Sequence, residues 1–252
     1  MKSRATCSAF LLLLLAVSAQ AQHIRVSDRT WHAWRGGFET GLTESFHTGK
    51  VPLTPSGDNT VWGTGNEANF HFFGFVEKGM SRSFVLGIRG GWDPMSATME
   101  GTYTEPFRIS DPQGNPVDVV RKHQIEYILR YITIGGYAKL YPMGGPGLYL
   151  GAGVNVSMLT QKRYVDNATI VEPQWAAGTE GVPQTGTLAE TAALRASFDV
   201  LLGYEVFYMY AFVSPVVRYN LGLGHPVTAS YGDDWNINNV SIGISFAFPL
   251  SN

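Results

Sequence analysis

Val240-Ser241-Ile242-Gly243-Ile244-Ser245-Phe246-Ala247-Phe248 alternates without a break between large apolar and small residues. Such a period of two puts Val240, Ile242, Ile244, Phe246 and Phe248 on one face of a strand and Ser241, Gly243, Ser245 and Ala247 on the other. A strand in a soluble sandwich usually carries long or charged polar residues on its solvent face. Small residues instead suit the crowded inside of a narrow barrel, with the large set facing outward. The alternation alone does not say which face is inside.

The same pattern recurs upstream. Leu148, Leu150, Ala152, Val154, Val156 and Met158 oppose Tyr149, Gly151, Gly153, Asn155 and Ser157. Phe198, Val200, Leu202, Tyr204 and Val206 oppose Asp199, Gly203 and Glu205. Phe84, Leu86, Ile88 and Trp92 oppose Gly87, Arg89 and Gly91. Ala211, Val213, Val217, Tyr219 and Leu221 oppose Arg218, and Phe38, Thr40 and Leu42 oppose Gly37, Glu39 and Gly41. Two stretches resist assignment. Four phenylalanines of Phe70 to Glu77 fall on both parities. From Glu126 to Tyr141, Lys139 opposes Ile132, Ile134, Ala138 and Leu140, but Arg130 shares their parity. Either a bulge intervenes or Arg130 stands above the hydrocarbon.

Eight strands are then separated by links of alternating length. Thr48 to Glu67, Thr104 to Val120, Val165 to Ala193 and Leu223 to Asp234 are long; Lys78 to Met80, Pro142 to Pro146 and the region of Tyr208 are short. This is the layout of an all-β, eight-stranded antiparallel up-and-down transmembrane β-barrel in a bacterial outer membrane, with both termini periplasmic and the long loops extracellular. Aromatic residues near strand ends suggest interface girdles, with Tyr137, Tyr141, Phe207, Tyr208, Phe246 and Phe248 at the periplasmic end and Trp92, Tyr127, Tyr131, Tyr164 and Trp235 at the outer one.

The first 21 residues form a secretory signal peptide by pattern. Lys2 and Arg4 precede the apolar run Ala9 to Val17, and Ala19-Gln20-Ala21 supplies a cleavage site. Residues 22–252 are expected to be the barrel domain. Cys7 lies in the leader, so a disulfide framework is excluded from the mature chain. Lys plus Arg falls from 18 to 16 on removal of the leader against 20 Asp plus Glu, so no basic balance invites nucleic acid. After the leader no apolar run is long enough for a spanning helix. Only 15% of the residues are charged, while the chain holds 29 Gly, 12 Tyr and 14 Phe, a composition that favours strands and tight curvature over helices.

The run Tyr131-Ile132-Thr133-Ile134-Gly135-Gly136-Tyr137-Ala138-Lys139-Leu140-Tyr141, followed by Gly147-Leu148-Tyr149-Leu150-Gly151-Ala152-Gly153, resembles the central hairpin of PorT-like outer-membrane β-barrel proteins. The ending Ile242 to Phe248 is similar to their last strand. The chain departs from the pattern at Gly135, where members often carry Pro, and in the residues after Phe248. The resemblance implies a barrel of the OmpX-like and OmpA-like kind and a helper role in protein secretion or envelope integrity. It also implies that Phe246 and Phe248 form an assembly signal for the barrel-assembly machinery. Outer-membrane lipids and other envelope or secretion proteins are the expected partners.

The inward charges are Glu39, Arg89, Lys139, Asp199, Glu205 and Arg218. They form either a salt-bridged structural plug, since lone buried charges are costly, or the lining of a conducting pore. A non-enzymatic role is the expectation, with no cofactor and no metal site; the histidines lack the spacing of a metal motif. Two other readings stay open. A lipid A-modifying barrel enzyme would use His47, His123 or His225 at the rim with a nearby serine, and a soluble lipocalin-like barrel would hold a ligand inside.

Overall fold

A computed structural model describes residues 26–52, 60–188, 191–224 and 235–250. The proposed leader therefore lies outside the described residues. A short helix, α1 (Asp28–His32), is capped by Ser27, whose hydroxyl accepts from the Thr30 amide at 3.1 Å. The strands are β1 (Trp34–Pro52), β2 (Thr60–Ser81), β3 (Phe84–Pro94), β4 (Ala97–Ser110), β5 (Pro116–Leu140), β6 (Leu148–Glu172), β7 (Gln184–Thr187), β8 (Leu194–Tyr204), β9 (Val206–Tyr208), β10 (Ala211–Leu223) and β11 (Asn236–Pro249).

These strands close into a ring of eight. β1 pairs with β2 on one side and with β11 on the other, the latter from Arg35 opposite Pro249 to Thr48 opposite Asn236. β3 and β4 form one wall strand interrupted at Met95 and Ser96, because both pair with β5 and both lie against β2. β8 and β9 similarly form one, broken at Glu205, against β10. Every neighbouring pair is antiparallel.

Burial decides which face is inside. Ser241, Ser245 and Ala247 are buried, while Ile244 and Phe248 are exposed. The ambiguous strands resolve the same way. In β2, His71, Phe73, Phe75 and Glu77 point inward and Phe70, Phe72 and Val76 outward. In β5 the odd residues face inward without interruption from Val119 to Lys139, so no parity change occurs there. The bulge lies on β6: Tyr131 faces Leu159 but Arg130 faces Gln161, which leaves Thr160 as the extra residue. Arg130 is outward and exposed, its guanidinium carbon 5.9 Å from the Trp92 ring centroid.

Two expectations need correction. Several of the expected loop residues belong to strands. β1 runs on to Pro52, β6 to Glu172, and Thr104 to Val120 is a paired hairpin that turns at Asp111 to Asn115. At 25 residues each, β5 and β6 reach about 80 Å, more than twice the length of a bilayer crossing by a tilted strand. Beyond the apolar belt the outward face is polar and the inward face mixes apolar with charged residues such as His123 and Asp166, so the hydrophobic alternation fades although the backbone still pairs. The girdle assignment also fails in part. Tyr127, Tyr131, Tyr137, Tyr141 and Trp235 are buried inside the ring and not on its outer surface.

Glycines let the ring curve tightly. In the pairs Gly36-Gly37, Gly90-Gly91 and Gly135-Gly136, the inward member lies against the neighbouring strand; a Cβ on Gly91 would stand 2.6 Å from the Cα of Phe73. Gly41 faces Gly243 across the closing seam, and a Cβ there would stand 2.5 Å from the Gly243 Cα. Gly41→Val is therefore expected to strain the seam by about 1–3 kcal/mol. A lower urea midpoint for loss of the compact, heat-modifiable band on detergent gels would show it; an unchanged midpoint would refute it.

Candidate functional site

The inside of the barrel is a stack of layers. At the short-turn end, α1 carries Trp31 into the opening. Its indole donates to the Ser81 carbonyl at 2.7 Å, and its ring meets Tyr141 edge-on at 5.1 Å and Phe212 at 6.0 Å. Arg35 lies over this floor, its guanidinium carbon 4.4 Å from the Phe212 centroid. Phe75, Val85, Tyr137, Tyr149, Leu201 and Val216 complete the apolar floor.

Above it come four charges. Arg35 stands 3.1 Å from Glu77 and 3.1 Å from Glu205, while Lys139 stands 2.8 Å from Glu77 and 3.9 Å from Glu205. The Tyr137 hydroxyl donates to Glu77 at 2.7 Å. Two cations thus face two anions, and the layer carries no net charge. Rings pack flat against this layer because Gly87 faces Tyr137 and Gly203 faces Tyr149, where a side chain would collide with the ring.

A second layer follows. Arg89 pairs with Asp199, and Arg218 stands 3.4 Å from Glu39. Both Asp199 oxygens are also bonded: Asn155 donates to one at 2.8 Å and Asn220 to the other at 2.6 Å. Thr43 bonds the His71 Nδ1 at 2.8 Å and Ser241 at 2.8 Å. Again two cations and two anions meet. Higher still, Arg195 donates to the Ile237 carbonyl at 2.7 Å and to Asn220 at 3.2 Å. The roof is apolar: Met95, Met99, Ile125, Tyr127, Leu129, Tyr131, Leu188, Trp235 and Ile237.

All six charges expected inside, Glu39, Arg89, Lys139, Asp199, Glu205 and Arg218, point into the lumen and are at most 7% exposed. The sequence reading missed Arg35, Glu77, His71, Asp93 and Arg195. Arg35 shares the parity of Glu39 and could have been included. Glu77 and His71 lay in the strand whose faces were unassigned, and Arg195 lay in the gap between the long link ending at Ala193 and the alternation beginning at Phe198.

The rim histidines do not form one site among the described residues. His47 is buried in the roof. Its Nε2 donates to the Met95 carbonyl at 2.9 Å, and its Nδ1 accepts from the Trp235 indole at 3.3 Å, so it is held as one neutral tautomer. His123 lies farther out and ties three strands together. Its Nδ1 is 2.8 Å from Asp166 of β6, and its Nε2 is 3.2 Å from Glu105 of β4. Arg121 stands 3.6 Å from the same Glu105. His225 lies outside the described residues. No cluster of three or more metal-ligating side chains occurs among those described.

Burial alone pushes His123 down, but the hydrogen bonds and charges of Asp166 and Glu105 outweigh it and hold the imidazole above its ordinary value. A group raised in the folded state contributes stability that is complete below its unfolded value of about 6.5 and is lost as pH climbs through the folded value. The β4–β6 extension is therefore expected to loosen above neutrality. Hydrogen exchange corrected for intrinsic rate should show protection at residues 119–125 declining with pH, and His123→Gln should flatten that dependence. A pH-independent wild type would contradict the clamp.

Removing Glu77 leaves Arg35 and Lys139 each short of a partner and Tyr137 without its acceptor. Glu77→Ala is expected to cost about 3–5 kcal/mol, the range for breaking a buried ion pair by deleting one partner. The urea midpoint measures it, and a loss below 1 kcal/mol would show that the layer is hydrated and not dry.

No protein-family model matches this chain, and no curated protein sequence matches it. Solved structures with similar strand arrangements include Ail, the attachment invasion locus protein of Yersinia pestis, at 9% identity and a TM-score of 0.32, covering 86% of this chain and 99% of that one. The outer membrane protein OprG of Pseudomonas aeruginosa is 11% identical, with a TM-score of 0.36 and coverage of 87% and 98%. The outer membrane protease OmpT of Escherichia coli is 12% identical, with a TM-score of 0.35 and coverage of 87% and 98%. Likeness at this level assigns no role to any residue.

Proposed function

We propose that this chain is an outer-membrane β-barrel with a sealed lumen that acts by contact, through its wall and its long outer extensions, and not by transport or catalysis. One observation carries the reading: charge is inside and hydrocarbon is outside. Along residues 36–42, 70–76, 84–92, 132–140, 148–158, 196–204, 213–221 and 240–248, the part of each wall strand nearest the short turns, the outward residues include Ile88, Ile134, Val154, Val156, Val200 and Ile244, and no Asp, Glu, Lys or Arg is among them. Ile88 and Ile134 are each 67% exposed, which is costly in water and favourable in lipid. A closed ring leaves no backbone edge unpaired, the condition for strands to lie in hydrocarbon. The lipocalin-like alternative requires large apolar residues around a central ligand; ion pairs occupy that place.

In this reading the short turns and both described chain ends face the periplasm and the extensions of β4, β5 and β6 face outward. Phe246 and Phe248, on the lipid face of the last strand, would serve as the assembly signal. The PorT-like resemblance favours envelope integrity or assistance to secretion, with other envelope proteins as partners. An enzymatic role is disfavoured because His47 has both nitrogens bonded to the roof and His123 lies between two carboxylates, which leaves neither poised to take a proton from a serine.

The sealed lumen has a direct test. The aromatic floor and roof flank two neutral ion-pair layers, so purified protein in planar bilayers is expected to give no ohmic single-channel steps. Reproducible steps from a homogeneous, folded preparation would overturn the proposal.

A further inference from the structure

We infer that the outer surface of β5 and β6 carries a binding site for the phosphate of an anionic lipid, formed by Arg130 and Arg163 at the top of the apolar belt. This inference rests on the membrane placement proposed above.

The bulge at Thr160 is the origin of the site. Without it, continuous pairing from Tyr131 opposite Leu159 would set Arg163 opposite Tyr127, on the inward face. The extra residue shifts the register, and Arg163 instead stands opposite Ile128 on the outward face. Bulges commonly re-aim a side chain in this way, since a slip of one residue exchanges the two faces of a strand. Arg163 thus becomes the diagonal neighbour of Arg130, which stands opposite Gln161. Diagonal positions on an antiparallel pair are about 7–8 Å apart, within reach of two long side chains converging on one tetrahedral anion.

Two exposed guanidinium groups so placed repel each other. Among the described residues neither has a carboxylate within 4.0 Å. Glu126, the nearest outward carboxylate along β5, stands opposite Val165 and pairs with neither. Arg108 and Lys122, by contrast, each have an acidic partner, Asp118 at 2.6 Å and Glu100 at 2.6 Å. Arg130 is also held over Trp92, which keeps its fork at the rim.

Directly below the two arginines the surface changes from cationic to apolar. Ile132 stands opposite Met158, and they are 45% and 50% exposed; Ile134 and Val156 follow. An occupant must therefore be anionic at the level of Arg130 and apolar below it. A phosphorylated glycolipid of the outer leaflet has that polarity, and a phosphate accepts bidentate hydrogen bonds from guanidinium groups. Free phosphate matches only the upper half.

The test uses the full chain, folded in detergent, with lipid A or its enzymatically dephosphorylated form as the probe and native mass spectrometry as the readout. Phosphorylated lipid A is expected to be retained about tenfold more than the dephosphorylated form. Arg130→Gln/Arg163→Gln should lose that preference, whereas Arg108→Gln should keep it. The heat-modifiable band should remain in all three proteins. Equal retention of both lipids by the wild-type protein would overturn the site, and that comparison does not depend on any variant folding. Displacement of lipid A by an equimolar amount of inorganic phosphate would also overturn it, by showing that the apolar surface below the arginines adds nothing to recognition. Failure of the wild-type chain to insert into vesicles would instead refute the membrane placement, a result separable from equal retention by inserted protein.

Discussion

The closure of β1 onto β11 is the constraint from which the rest of this architecture follows. It brings the two ends of the described chain together over fourteen paired positions, from Arg35 with Pro249 to Thr48 with Asn236. A sheet with an open edge would leave a row of unpaired amides and carbonyls, intolerable in hydrocarbon. Closure at only eight strands makes the interior narrow. That narrowness requires glycine or serine wherever backbones crowd, as at Gly41 and Gly243. It also requires that whatever does point inward be packed or paired.

The interior meets this requirement by charge neutrality within each layer. Glu77 and Glu205 balance Arg35 and Lys139; Glu39 and Asp199 balance Arg89 and Arg218. Desolvating these groups costs several kcal/mol each, and their mutual attraction offsets that cost only where geometry is good. Asn155 and Asn220 improve it by saturating Asp199.

The outer extensions obey different physics. Beyond Arg130 the wall leaves the apolar belt, and its strands are held by backbone pairing and by local clamps such as Glu105–His123–Asp166. Such a wall is less stable than the barrel beneath it and responds to solvent conditions that the buried layers do not feel. The bulge at Thr160 sits at the boundary between the two regimes. It changes the facing of everything above it on β6 without disturbing the alternation below.

The sequence by itself determined the strands within the belt, because a surface that is apolar outside and polar inside must alternate with period two. The same parity identified six of the lumen charges, and the uneven spacing of those segments gave the number of strands. Tertiary structure decided what local pattern cannot carry. In Phe70 to Glu77, Phe73 and Phe75 line the lumen while Phe70 and Phe72 face outward; hydrophobicity is the same on both sides, so only neighbouring strands distinguish them. The rings of Tyr127, Tyr131 and Trp235 turned inward to form a roof, although a girdle outside would satisfy composition equally well. Arg35 and Glu77 became partners because the register of β1 on β2 sets them directly opposite each other. The extensions of β4 to β6 were hidden because their outward face is polar and their inward face mixes apolar residues with charged ones such as His123 and Asp166, which blurs the hydrophobic period.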